Sequence, residues 1–242
     1  MLQDQRPFIV EKMAEARSFI GRGEFARALP LLEEAHAFSP RDTDVLDSLA
    51  KTLRRRGHYT ESLQRHQWAV DIDPQFGVYY VEMSKTYNEM RQHHAAWNCL
   101  LDSNQPGNLL VRTAKAETLI CCREFEVPRE MINAVLRENA NYIPALYARA
   151  KLNFQSGKLD AAEETCRQLM QKDSERPVAR GYLGVVLLLK GKTDAAMECL
   201  GRASRERPHE RVTDLGLEAG TAIRRDSANA KPHLDRLLAS NP

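Results

Sequence analysis

What most constrains this chain is a 34-residue recurrence of its turn-forming and small residues. Gly23 and Gly57 lie 34 positions apart, and so do Gly157 and Gly191. Pro40 to Pro74 and Pro208 to Pro242 take the same step, while Ala162, Ala196 and Ala230 take it twice. Across the middle the register slips, since Gly57 to Gly157 is 100 residues and Pro74 to Pro208 is 134. One two-residue deletion accounts for both. The 32-residue spacing of Ser103 and Val135 places it near Asn104–Asn108. In this frame a leader, 1–8, precedes seven repeats at 9–42, 43–76, 77–108, 109–142, 143–176, 177–210 and 211–242. A fixed period of this length is the mark of a stacked array, not of one large core or two small ones.

Within a repeat the hydrophobic spacing is helical. In the second, Leu46, Leu49, Ala50 and Leu53 form an i, i+3, i+4, i+7 stripe. Gly57 ends that helix, and Tyr59, Leu63, His66, Ala69 and Ile72 carry a second stripe. Asp73-Pro74 stops the second helix, because proline cannot continue it and disfavours helical geometry just before itself. Helices this short are marginal alone, so stability has to come from stacking on neighbours. The expected fold is therefore all-α, an α-solenoid of about seven tandem helix-turn-helix repeats.

Composition narrows the functional classes. Thirty-five Lys and Arg against 33 Asp and Glu leave a net charge of +2, far from the basicity of a nucleic-acid binder. No apolar run reaches the ~18–20 residues of a membrane span. The opening MLQDQRPFIVEKM is too polar for a signal-peptide core. Five cysteines, odd in number and without paired spacing, fit free thiols in a reducing compartment, so a cytoplasmic location is expected.

The pattern resembles the tetratricopeptide-repeat (TPR) family. Its 34-residue signature wants a small residue at position 8, Gly near 15, an aromatic near 17, Ala at 20, an aromatic or Leu at 24, Ala at 27 and Pro at 32. The first repeat places Ala16, Gly23, Phe25, Ala28, Leu32, Ala35 and Pro40 there. The second places Ala50, Gly57, Tyr59, Ala69 and Pro74, with Ser62 for Ala and His66 at position 24. The sixth places Gly184, Gly191, Ala196, Leu200, Ala203 and Pro208. The resemblance covers 9–242 and implies a right-handed solenoid. Some repeats depart from it: the third ends early in SNQPGN, and the fourth has Arg123 at the Gly position and Pro128 at position 20. The seventh has Arg225 at the Gly position and Thr221 where a bulky residue packs. The second helix of the fourth repeat is expected to start late, with Pro128 in its first turn, and the junction of repeats three and four to be the least regular.

The residue patterns give no case for catalysis. Gly191-Lys192-Thr193 has the tail of a phosphate-binding loop, but Val186 stands where the first Gly is needed and no strand precedes it. Cys121-Cys122 lacks a second pair at metal spacing. Cys99, Cys166 and Cys199 fall on second helices, where cysteine packs as a small core residue. His58, His66, His93 and His94 have no HExxH arrangement or third ligand. No enzyme activity, metal or cofactor is expected.

In the family the first helix of each repeat lines a concave groove, with positions 2, 5, 9, 12 and 13 toward the ligand. Carried over, position 9 reads Arg17, Lys51, Lys85, Glu117, Lys151, Val185 and Ala219. Four of the first five are basic, and Arg54 adds charge beside Asp44 and Asp47. Tyr147 and Phe154, followed by Val178, Val185, Leu188 and Leu189, make the other end apolar. The resemblance thus implies a protein-interaction scaffold whose partner is an acidic segment with apolar anchors. Its expected contacts are Arg17, Lys51, Arg54, Lys85, Tyr147, Lys151 and Phe154. The family's clamp for heat-shock-chaperone carboxylates is missing: no repeat has Asn at position 6 or 9, and position 5 of the first three is Met13, Asp47 and Val81.

A second reading makes the chain the repeat domain of a larger enzyme, such as a sulfotransferase or glycosyltransferase, serving substrate recruitment or oligomerisation. The last repeat stops at Pro242 with no extra solvating helix, so Leu234, Leu237 and Leu238 are also expected to support self-association. RNA binding is the weakest reading, since no aromatic stacking platform accompanies the +2 charge.

Overall fold

The computed structural model describes residues 6–171, 176–226 and 232–235. Of the residues expected to support self-association, Leu237 and Leu238 lie outside the described residues, and Leu234 is half-buried. The described residues are all-α, with no strand. The first helices of the successive repeats are α1 (Arg6–Gly21), α3 (Thr43–Arg55), α5 (Gly77–Glu89), α7 (Leu109–Cys121), α9 (Ile143–Gln155), α11 (Arg176–Leu189) and α13 (Arg211–Arg225). The second helices are α2 (Phe25–Phe38), α4 (Tyr59–Ile72), α6 (His93–Asp102), α8 (Glu126–Glu138), α10 (Leu159–Met170) and α12 (Thr193–Glu206). Helix α1 begins at Arg6, so the end of the leader is helical. The chain forms two compact bodies, Met1–Thr118 and Leu119–Pro242, and the division falls inside the fourth repeat.

The solenoid follows from how a first helix shares out its apolar residues. In α3, Val45, Leu49 and Leu53 join Met13, Ala16 and Phe19 of α1 and Ala28, Leu32 and Ala35 of α2 in one core. Leu46, on the same helix, joins Ala69 and Val70 of α4, Tyr79, Tyr80 and Met83 of α5, and Cys99 of α6. One helix thus belongs to two successive cores, and neither hairpin buries its apolar faces alone. Asp42 caps α3, accepting from the backbone N–H of Asp44 and of Val45 at 3.0 and 3.2 Å.

Every described hairpin turn closes in the same way. At Gly57 the chain is left-handed (φ 81°); the Gly57 N–H donates to Arg54 O and the His58 N–H to Leu53 O, both at 2.9 Å. This pair of bonds is the Schellman motif, which satisfies carbonyls that the helix end leaves over. The same pair recurs around Gly23, Gly157 and Gly191. It also recurs around Arg91 (φ 60°) and Arg123 (φ 62°), where the third and fourth repeats lack glycine. The repeat therefore imposes the left-handed geometry even on a side chain that disfavours it. The seventh repeat differs, because Arg225 is the last helical residue of α13 and Asp226 follows with φ −145°.

The irregular repeats show local causes. Helix α6 has 10 residues where α4 has 14, so the two-residue deletion shortens a second helix and its exit. Gln105 takes up the space: its Nε2 donates to Gln75 O at 2.5 Å, and its Oε1 accepts from Asn108 Nδ2 at 2.8 Å. Gly77 leaves room for it, since a Cβ there would come within 2.6 Å of Gln105 Oε1. Helix α8 starts at Glu126, one repeat position later than α4, α10 and α12, with buried Pro128 in its first turn.

Arg123→Gly is expected to raise stability by up to about 1 kcal/mol, by removing a left-handed side-chain residue. At Gly57 an added Cβ meets nothing within 4 Å, so Gly57→Ala tests the backbone alone and is expected to lower stability by about 1 kcal/mol. Urea unfolding monitored by circular dichroism reads both signs.

Candidate functional site

In the N-terminal body three cations of the expected basic ladder, Lys51, Arg54 and Lys85, lie in an internally neutralised network. Lys51 Nζ is 2.7 Å from Asp47 Oδ2, one helical turn away on α3. Arg54 reaches across to α5, with Nη2 2.9 Å from Glu82 Oε2 and Nη1 2.7 Å from Glu89 Oε1. Lys85 Nζ is 2.7 Å from the other Glu82 oxygen. Three cations thus face three carboxylates. Arg17 stands exposed on α1. The sequence reading listed the basic residues of the groove positions and missed Glu82 and Glu89, at positions 6 and 13 of the third repeat. The signal was available: stacking brings residues about one repeat apart together, and Arg54 lies 28 and 35 residues before these two glutamates.

Two of these carboxylates are held ionised by their surroundings. Burial alone would raise the Glu82 pKa, but Lys85, Arg54 and Lys51 outweigh it and hold it at about 2. Burial likewise works against ionised Asp47, and hydrogen bonds from His66 and Lys51 bring it below the usual carboxylate range. His66 is fully buried at the packing position expected of it, with Nε2 3.3 Å from Asp47 Oδ1.

The C-terminal body presents different chemistry. Tyr147 and Lys151 are one turn apart on α9 and share a face; both are half-buried. The Tyr147 ring meets the Tyr182 ring of α11 at 6.1 Å between centroids, inclined 50°. Lys151 reaches the other way and donates to Cys121 Sγ at 3.9 Å, at the end of α7. Cys121, Lys151, Tyr147 and Tyr182 therefore form a strip across three successive first helices. Val178 and Leu189 of α11 and Leu215 of α13 are also half-buried. Phe154 does not join this surface. It is 1% exposed and among the largest fully buried side chains, and that enclosure leaves it no face for a partner. Val185 and Leu188, at 0% and 1%, are core residues for the same reason. Tyr182 was missed because it stands at position 6, next to those that the family turns toward a ligand.

Among the described residues, no group of three His, Cys, Asp or Glu is placed to hold a metal ion, and no helix is long and apolar enough to cross a membrane. The cysteines are free thiols. Burial pushes the Cys99 and Cys166 thiols up to about 12.

Comparison with known proteins defines the class. Residues 153–215 match the family model "Tetratricopeptide repeat". A tetratricopeptide repeat protein from Parabacteroides merdae superposes with a TM-score of 0.59 at 15% identity, over 96% of this chain and 93% of that one. PilW, a widely conserved type IV pilus biogenesis factor, superposes with a TM-score of 0.55 at 12% identity, over 85% and 96%. The described residues therefore share the α-solenoid fold of tetratricopeptide-repeat proteins, and residues 153–215 carry that repeat. A curated relative, cellulose synthase 1 operon protein C of Komagataeibacter xylinus, is 21% identical over 225 residues; they make up 92% of this chain and only 16% of that protein.

Two measurements test this division between core and surface. Phe154→Ala is expected to cost about 3–5 kcal/mol by opening a cavity, whereas half-buried Tyr147→Ala should cost less than half of that in the same unfolding assay. Glu82 has a folded pKa of about 2 against an ordinary 4.5, so its stabilisation is complete above about pH 4.5 and lost as pH falls toward 2. Glu82→Gln is expected to remove roughly 3 kcal/mol at pH 7, with the difference from wild type vanishing near pH 2.

Proposed function

We propose that this chain is a non-catalytic interaction scaffold that holds a segment of a partner protein against the first helices of its repeats. The observation that carries this reading is the strip in the C-terminal body, where half-buried Tyr147 and Tyr182 stand together beside Lys151. Tyrosine side chains, large and with few rotatable bonds, are suited to anchoring a partner at small entropic cost. The N-terminal body contributes less affinity, because its cations are already paired with carboxylates of this chain and exposed pairs contribute little. The resulting contact set is Tyr147, Tyr182 and Lys151, with Arg17, Lys51, Arg54 and Lys85 at most steering encounter. Free thiols fit action in a reducing compartment such as the cytoplasm.

A second reading rests on the length of the curated relative. This chain matches 16% of cellulose synthase 1 operon protein C, so an array of this kind also occurs as one segment of a far longer protein. On that reading it recruits a substrate or joins subunits for a catalytic region elsewhere. A reading frame open beyond Pro242 would favour it.

Chemical crosslinking in host-cell extract, followed by mass spectrometry, tests the first reading. Wild-type protein is expected to yield crosslinks from a specific partner that the Tyr147→Ala, Tyr182→Ala double variant loses at least tenfold. The folded double variant retaining the same crosslinks at the same yield would overturn the assignment.

A further inference from the structure

We infer that the strip in the C-terminal body selects a partner segment by one carboxylate, held by Lys151 between an apolar anchor on Tyr147 and Tyr182 and the Cys121 thiol. This rests on the interaction reading above and adds the chemistry of the partner. The argument is charge complementarity. On α3 and α5, Lys51, Arg54 and Lys85 each have a carboxylate of this chain within 2.9 Å. In the C-terminal body Lys190 is shared by Asp160 and Glu163, Arg180 is paired with Glu206, and Arg224 with Asp194. Lys151 departs from this pattern. Among the described residues its polar contact is the Cys121 sulfur at 3.9 Å, a weak acceptor. It is nevertheless half-buried on the face that carries the tyrosines.

An ammonium so placed is partly desolvated without an anionic partner, which a carboxylate at the same spot would supply at shorter range and with full charge. Tyr182, Val178 and Leu189, half-buried on α11, are aromatic or aliphatic. The fitting occupant is therefore an apolar, aromatic-tolerant segment with a single Asp or Glu, not a polyacidic one. A polyacidic segment would suit the row of cations expected from the sequence, and Lys51, Arg54 and Lys85 of that row are neutralised internally. Cys121 Sγ lies 3.9 Å from the Lys151 ammonium, so a carboxylate held there also shields its thiol.

A random heptapeptide phage library panned against the full chain, with the selected peptides then made synthetically, tests the inference. Selected peptides are expected to carry one Asp or Glu among apolar residues. Replacing that residue by Asn or Gln should weaken binding to wild type about fivefold and leave binding to Lys151→Gln unchanged. Bound peptide should also slow iodoacetamide labelling of Cys121. Lys85→Gln serves as a control with wild-type discrimination. Peptides that bind through Tyr147 and Tyr182 but show no carboxylate preference would overturn the carboxylate inference and leave the interaction reading standing. Peptides whose binding ignores the two tyrosines would overturn both, and selection of no binders would contradict the inference outright.

Discussion

The first six hairpins of this solenoid depend on one backbone constraint: the first helix must end in a left-handed residue so that the chain can turn back within a few residues. Two hydrogen bonds around that residue satisfy leftover helix carbonyls, and the geometry recurs at one position of six repeats. Glycine meets the requirement without strain in four of them. In the third and fourth, arginine meets it at a cost that packing on either side must offset. The turn in turn sets which face each first helix shows to its neighbours. Leu46 and Leu49 on α3 enter different cores.

Stacking has a second consequence, electrostatic in kind. Residues about 30 apart become neighbours, so charges distant in sequence neutralise each other across adjacent helices. Arg54 with Glu82 and Glu89, Lys190 with Asp160, and Arg224 with Asp194 all obey this rule. A surface that looks basic repeat by repeat becomes neutral once the repeats are stacked. Lys151 differs from these: among the described residues its polar contact is the Cys121 sulfur, and it shares a face with Tyr147.

The fold was largely legible in the sequence because it rests on periodic punctuation. Gly57, Pro74 and the alanine series mark helix ends and close packing, and both are local matters of backbone freedom and side-chain volume. The late start of α8 was legible in the same way, through Pro128. The site was only partly legible. Position counting identified Tyr147 and Lys151 as surface residues, yet could not tell that Phe154, on the same helix, turns into the core. Nor could it see that Glu82 silences Lys85 and Arg54, since that depends on side chains meeting across helices. His66 shows the intermediate case: its packing position was readable, but not the Asp47 carboxylate that meets its buried ring.

The central claim is that partners engage the tyrosine strip and not the charged row of the N-terminal body. Photo-crosslinking tests it most directly, with a benzophenone amino acid placed at Tyr182 in one version and at Lys85 in another. The account predicts a partner adduct from position 182 and little or none from position 85. An adduct from position 85 with none from position 182 would contradict it.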